Sequence, residues 1–403
     1  MILFLSILIG YLLGSINPAY FFGWLLKHQD IRTFGTKNAG GTNVLKNIGI
    51  APGIITIIYD LLKGVLAIFI AWKLGVHDPW YLLAGLGAFL GHVFPFYLNF
   101  RGGQGVAVLM SLFFFSSVKL FLVISFPWQE FSALVVVVLS LLYIAYKGDV
   151  LGLATIPLLW LILIKLLILN PASWFYIAVI IAIFIYIFVI NVSIIKKEGI
   201  VHLKDHTKNE MLHWRTIARP LAILIPIIYI YTSKEVILWI LGILGLILII
   251  VDLARLSNQG INLLLFRFKG VFKEKERLRF SSLTYFILAN FLAILLFERQ
   301  IAILAITFII FGDLAAKFFG AQYSKRFIFG ERSLEGFLAY FSFCLFFGVY
   351  VGTIFGISFW LVALGALAAA LIDLFSVFGI DDNFTVALLS GGALEAIRFF
   401  IKI

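Results

Sequence analysis

Apolar residues in this chain come in blocks of about twenty, the length that crosses a bilayer as an α-helix, and short polar stretches separate the blocks. Seven such blocks run at 3–26, 50–72, 79–99, 106–126, 131–146, 150–169 and 174–195. A second series follows at 217–231, 236–253, 281–297, 301–319, 336–355, 357–378 and 384–401. The pattern predicts an all-α protein, a polytopic transmembrane bundle of about seven plus seven spans. The polar stretch at 196–219 predicts a boundary between two fused domains, 1–215 and 216–403. No repeat relates the halves.

Composition agrees with the pattern. The 403 residues are 63% hydrophobic and 13% charged, so lipid is the solvent for most of the chain. The net charge of +11 sits in a few inter-helix loops. Placing the N-terminus outside puts 27–49, 100–105, 147–149, 196–219, 255–280, 320–335 and 379–383 in the cytoplasm. Nearly all loop lysines and arginines then face the cytoplasm, as in a multi-pass protein of the cell inner membrane. The same distribution speaks against a nucleic-acid partner. The first block lacks a basic leader and a small-residue cleavage site, which predicts a retained helix. Cys344, the single cysteine, leaves no intrachain disulfide and no cysteine metal site.

Against this background the polar loops carry the chemistry. Residues 30–43 read DIRTFGTKNAGGTN and residues 100–105 read FRGGQG. Glycines let backbone N–H groups curl into an anion-binding nest, and cations and amides complete a phosphate site. The first loop offers Arg32, Thr36, Lys37, Asn38, Gly40, Gly41, Thr42, Asn43 and Lys46; the second offers Arg101, Gly102, Gly103, Gln104 and Gly105. Asn191 precedes a third polar stretch at 196–198. Asp60 and Lys63, three apart on one helix face, read as a local ion pair, and His92 as a hydrogen-bonded structural residue.

LLGSINPAY, DIRTFGTKNAGGTNVLKNIG, YDLLKG and GHVFPFYLNFRGGQGVA, in that order, resemble the acyl-phosphate:glycerol-3-phosphate acyltransferase (PlsY) family over about residues 1–200. The resemblance implies seven transmembrane helices and transfer of an acyl group from acyl-phosphate to glycerol 3-phosphate, giving lysophosphatidate at the membrane. It implies no cofactor and no covalent acyl-enzyme. Thr36, Asn38, Lys46 and Asn191 would be catalytic. Arg32, Lys37, Gly40, Gly41 and Arg101, with 102–105, would bind phosphate. The chain departs from the family pattern at Thr36 (usually serine), Lys37 (glycine), Lys46 (arginine), Gln104 (lysine) and Phe188 (histidine).

In the second half, acids at helix ends stand out: Asp252, Asp313, Glu335, Asp373, Asp381 and Asp382. Facing Lys325, Arg326 and Arg332, they suit a nucleotide with a divalent cation, or simply pair between helices. VDLARLSNQGIN, FGDLAAKFFGAQYSKRFIFGERSLEG and GIDDNFTVALL resemble CTP-dependent lipid kinases, the dolichol, phytol and diacylglycerol kinases, over about 235–403. That resemblance implies Mg2+, CTP and a lipid alcohol. Asp313 and Asp382 would hold the metal; Asp313, Lys325, Ser333, Glu335, Asp382 and Asn383 would hold the nucleotide. The leading expectation is an acyltransferase fused to a kinase-like domain. The rivals are a kinase with an inactive acyltransferase half, and a transporter.

Overall fold

The computed structural model describes residues 1–145, 148–198, 219–267, 276–330, 332–375 and 381–401. Among these residues the protein is all-α with one two-stranded hairpin. Among the described residues eight helices are long and apolar enough to cross a membrane, and five shorter apolar helices accompany them. The chain divides into two compact units: Met1–Phe126 with Leu163–Ile190, and Pro127–Ile162 with Asn191–Ile403. The domain boundary expected at 215/216 lies outside the described residues.

The first unit holds α1 (Ile2–Ser15), α2 (Pro18–Lys27), α3 (Gly41–Asn47), α4 (Ile50–Lys73), α5 (Leu82–Val93) and α6 (Val106–Val123). Gly10 and Gly14 on α1 face Ala84 and Ala88 on α5. A Cβ on either glycine would run into the opposing alanine's carbonyl, so this small-residue spacing lets the two backbones touch. The apolar block at 3–26 is interrupted. Backbone turns extended at Ile16, and Asn17 caps α2 by accepting from the Tyr20 amide, with Pro18 at the first helical position. The block at 79–99 also breaks: α5 has only 12 residues, too few to span alone, and a 3-10 turn follows at Phe96–Leu98.

Further on come α7 (Trp128–Ala145), α8 (Gly148–Leu169) and α9 (Trp174–Glu198). The helix α9 carries straight through the polar residues at 196–198, which were expected to form a loop. The second unit continues with α10 (Leu224–Tyr231), α11 (Lys234–Ser257), α12 (Gln259–Arg267), α13 (Ser282–Leu296), α14 (Arg299–Tyr323), α15 (Leu334–Gly352), α16 (Phe359–Phe375) and α17 (Asp382–Ile401). Residues 301–310 of α14 are all buried, making it the axis of this unit, with α15, α16 and α17 packed around it. Strands β1 (Phe327–Phe329) and β2 (Arg332–Ser333) form an antiparallel hairpin between α14 and α15. Asp382 and Asn383 occupy the first turn of α17 instead of a loop.

Candidate functional site: two glycine-rich loops joined over a buried ionic network

The first loop, 28–40, folds over its own small core. Ile31, Ala39 and Val44 are fully buried with Ala19, and Phe22, Phe34 and Ile48 pack around them. Asn43 is the polar hub. Its Nδ2 donates to the carbonyls of Ile31 (2.9 Å), Phe34 (3.1 Å) and Asn38 (3.0 Å), while its Oδ1 accepts from the Thr36 amide (3.0 Å) and Asn47 Nδ2 (2.8 Å). Fixing three carbonyls with one buried amide forces the chain to curl, and Gly35 (φ 60°) and Lys37 (φ 56°) take the left-handed turns that result. The loop spends the amides of Thr36, Lys37 and Gly40 on its own acceptors, so they add nothing to the expected nest.

Arg32 then ties the loops together. Its Nε and Nη2 grip the Asp30 carboxylate at 2.6–3.0 Å, and its Nη1 donates to the carbonyls of Leu98 (3.0 Å) and Arg101 (2.7 Å) in the second loop. The guanidinium hydrogen bonds hold the Asp30 carboxyl below its ordinary range. Arg32 was expected to bind phosphate; most of its donors are already committed to protein acceptors. Asn17 anchors the first loop to the start of α2, its buried Nδ2 donating to Ala39 at 3.2 Å. Within the second loop the amides of Gly102 and Gly103 bond back to Val93 (2.9 Å) and His92 (3.1 Å). Tyr186 on α9 donates to the Gln104 carbonyl at 2.7 Å. Gly103 lies between the two loops: a Cβ there would strike the His92 ring and the Ala39 carbonyl.

Beneath this junction lies an ionic network in the helix bundle. Lys63, with no side-chain exposure, places Nζ 2.8 Å from Asp60 Oδ1 and 2.6 Å from His92 Nδ1. It also donates to the carbonyls of Gly14 (3.1 Å) and Ile16 (3.4 Å), where α1 ends. An ammonium has no lone pair, so His92 accepts through Nδ1 and carries its proton on Nε2. The local Asp60–Lys63 pair is therefore present, with His92 as its third member.

The exposed cations around the joined loops are Lys37, Lys46 and Arg101, with Thr36 and Gln104 also exposed and Asn38 half-buried. Gly40 precedes α3, and Gly41 packs against Ile57 with no room for a side chain. Gly105 (φ 74°) starts α6 against Phe89. Asn191 groups with the second unit, where its amide lies against Gly152. Sequence reasoning missed Asn17 as a loop anchor. An asparagine before proline inside an apolar block is a helix-cap signature and could have marked it.

The model of the family described as glycerol-3-phosphate acyltransferase matches residues 4–202. A glycerol-3-phosphate acyltransferase of Bradyrhizobium sp. is 41% identical over 170 residues, 40% of this chain and 84% of the relative. The chain belongs to the glycerol-3-phosphate acyltransferase family. Relatives of the same description from Geobacter sulfurreducens (44% over 108 residues) and Geobacter metallireducens (47% over 107) align with 26% of this chain. The alignments cover 54% and 53% of those proteins, so the chain spans about half the length of these curated relatives. A crystal structure of PlsY, an integral membrane glycerol 3-phosphate acyltransferase in its glycerol 3-phosphate form, is 30% identical. That match covers 49% of this chain and 92% of the other, with a TM-score of 0.34. Both loops and the network beneath them fall inside the acyltransferase-family match.

The acids that stand out at the helix ends after residue 250 lie beyond that match. Asp313 pairs with Lys317 one turn on (2.6 Å). Arg332 bridges Asp373 (3.2 Å) and Asp382 (2.5 Å), and Asp381 accepts from Asn383 Nδ2 (2.7 Å). Glu335 accepts from the amides of Lys325 (3.1 Å) and Arg326 (3.3 Å), closing the hairpin base. Ser333 caps α15 by accepting from Gly336 (3.1 Å), and its Oγ meets Ser324 Oγ at 2.7 Å. Asp252 is a structural group: Arg255, the Ser281 amide and Thr284 saturate it. Among the described residues no group of three or more His, Cys, Asp or Glu is placed to hold a metal. Asp313 and Asp382, the expected metal ligands, each face a cation.

Proposed function

We propose that the first unit transfers an acyl group from acyl-phosphate to glycerol 3-phosphate, giving lysophosphatidate and inorganic phosphate. The observation that carries this reading is the joining of two glycine-rich loops by Arg32 into one polar surface with Lys37, Lys46 and Arg101 exposed on it. Membership of the family supports it. Both substrates are phosphate-bearing, and a cationic loop surface holds two such groups side by side. The glycerol hydroxyl attacks the acyl carbonyl and a new C–O ester bond forms. The C–O bond to phosphate breaks, and the hydroxyl proton leaves with the phosphate. Acceleration comes from proximity of the two bound substrates and from donors that stabilise the developing oxyanion, with Thr36 and Asn38 the nearest side-chain candidates. Lys46 carries the charge of an arginine at its position without the bidentate fork, so it holds phosphate as a point charge. Lysines and arginines crowding these loops support a cytoplasmic site with the N-terminus outside, in the bacterial inner membrane.

The test is purified full-length protein in phospholipid vesicles, supplied with acyl-phosphate and labelled glycerol 3-phosphate. Labelled lysophosphatidate, lost in Asn38→Ala, is expected. No product beside an active family enzyme overturns the reading.

For the second unit the order of motifs over 235–403 supports a CTP-dependent lipid kinase, and the Asp373–Arg332–Asp382 cluster beside a serine-capped helix supplies polar groups for it. The same vesicles given Mg2+, labelled CTP and diacylglycerol or polyprenol decide this: an unlabelled lipid fraction ends it.

A further inference from the structure

Resting on the acyl-transfer reading, we propose that Asp60, Lys63 and His92 form a positioning device that holds both loops in register from below. None of the three is assigned a role by the motifs of the loops themselves. Two paths lead from one ammonium. The first runs through α1. Its final carbonyls have no helical partner, and Tyr59, Lys63 and Tyr97 donate to those of Leu13 (3.1 Å), Gly14 (3.1 Å) and Ser15 (2.8 Å), with Lys63 also reaching Ile16. That fixes the break between α1 and α2, and with it Asn17, whose amide holds Ala39 of the first loop.

The second path runs through His92. Lys63 locks the ring by its bond to Nδ1, and the same residue's backbone carbonyl holds the Gly103 amide of the second loop. The ring edge carrying Nε2 lies against Gly103, which in turn touches Ala39. The paths therefore close on each other at the contact between the loops. Asp60 balances the ammonium, which is costly to hold inside a membrane bundle: the side chains of the three are 0–4% exposed. A replaceable apolar contact could pack these helices. A charged one fixes direction as well as distance, since four acceptors converge on a single Nζ.

The device is separable from the loops' own folding. Asn43 and the Asp30–Arg32 pair shape the first loop internally, so each substrate's own contacts survive loss of the network, while the relative placement of the two is left to the Arg32 tie alone and loosens. The experiment compares Lys63→Met, His92→Leu and His92→Asn, all full-length in vesicles, by amide hydrogen exchange of residues 30–43 and 99–105 and by acyl-transfer kinetics. Asparagine places Oδ1 where Nδ1 was, so His92→Asn keeps the acceptor for Lys63 without the ring. Lys63→Met and His92→Leu should raise exchange in both loops together. They should lower kcat about 100-fold, the order expected for a misplacement near 1 Å, with KM changed less than about threefold. His92→Asn should stay within about fivefold of the parent on both readouts, because the acceptor is kept.

Unchanged exchange, or a change confined to one loop, overturns the proposal. So does His92→Asn losing kcat as His92→Leu does with its loops still protected, because the ring would then act on substrate directly. Should Lys63→Met fail to fold, His92→Asn against His92→Leu decides alone. Absence of acyl transfer in the parent protein would sink the function proposed above, and the exchange comparison would still stand.

Discussion

Each unit of this protein buries one acid–base pair three residues apart on an apolar helix: Asp60–Lys63 on α4 and Asp252–Arg255 on α11. In sequence they are the same feature. In the fold they do different things. Arg255, fully buried, gives Nε and Nη2 to Asp252 and its remaining reach to the carbonyls of Glu276 (2.6 Å) and Arg279 (2.5 Å); Asp252 Oδ2 takes the Ser281 amide (2.8 Å) and Thr284 Oγ1 (2.6 Å). These bonds tie α11 to the residues leading into α13 and to its first turn, so the pair staples one helix to a nearby stretch of chain. Lys63 instead reaches α1 and α5, and through them both loops. Arginine's planar fork suits the first task, gripping several carbonyls at once, and a compact ammonium suits the second, where acceptors from three helices meet at one point.

Arg255→Met offers the hardest challenge to this contrast. Removing one partner of a buried pair costs about 3–5 kcal/mol. The loss should appear as a lowered unfolding temperature in detergent, while molecules that remain folded transfer acyl groups at the parent rate. A fall in turnover without loss of stability would mean that the staple also serves the site.

Gly103→Ala tests the other side without touching any charge. The added Cβ would sit 2.6 Å from the Ala39 carbonyl and against the His92 ring, so backbone must give way. Overpacking of this kind costs about 1–3 kcal/mol. Loop exchange should rise at 99–105 and acyl transfer should fall, with α4 and α11 protected as before.

The smallest expected effect is Lys37→Gly. At φ 56° a lysine side chain is strained by about 1–2 kcal/mol, and glycine's greater freedom in the unfolded chain offsets about 0.5–1 of that. A gain in thermal stability under about 1 kcal/mol is expected, and a loss would show that the Lys37 side chain makes a stabilising contact.

Much of the architecture was legible because lipid enforces it. Long apolar blocks had to be helices, and polar glycine-rich stretches had to lie outside lipid or line protein, so 30–43 and 100–105 were marked as the place for chemistry. The i,i+3 spacing was enough to expect the Asp60–Lys63 pair. What the local pattern left out shares a cause. Arg32 reads as a free cation beside glycines, yet the partners that absorb it, Leu98 and Arg101, come from a loop far along the chain. Glu335 and Ser333 read as nucleotide ligands, and they also close the base of a hairpin that no apolar pattern reveals and cap the helix after it. The break at Ile16 lies inside an apolar block, where only Asn17 and Pro18 signal it.

By itself, the sequence determined that the chain is a helical membrane protein, where its polar loops fall, and the family its first half belongs to. Each of these depends on neighbours in the chain: hydropathy over a window, charge within a loop, residues in a fixed order. Only the tertiary structure decided that His92 completes the Asp60–Lys63 pair, that Asn17 and Gly103 meet at Ala39, and that Asp252–Arg255 ties α11 to the start of α13. Those contacts join residues tens of positions apart through single directional hydrogen bonds. Side-chain direction in a packed bundle is set by all the helices together, and no local pattern encodes it.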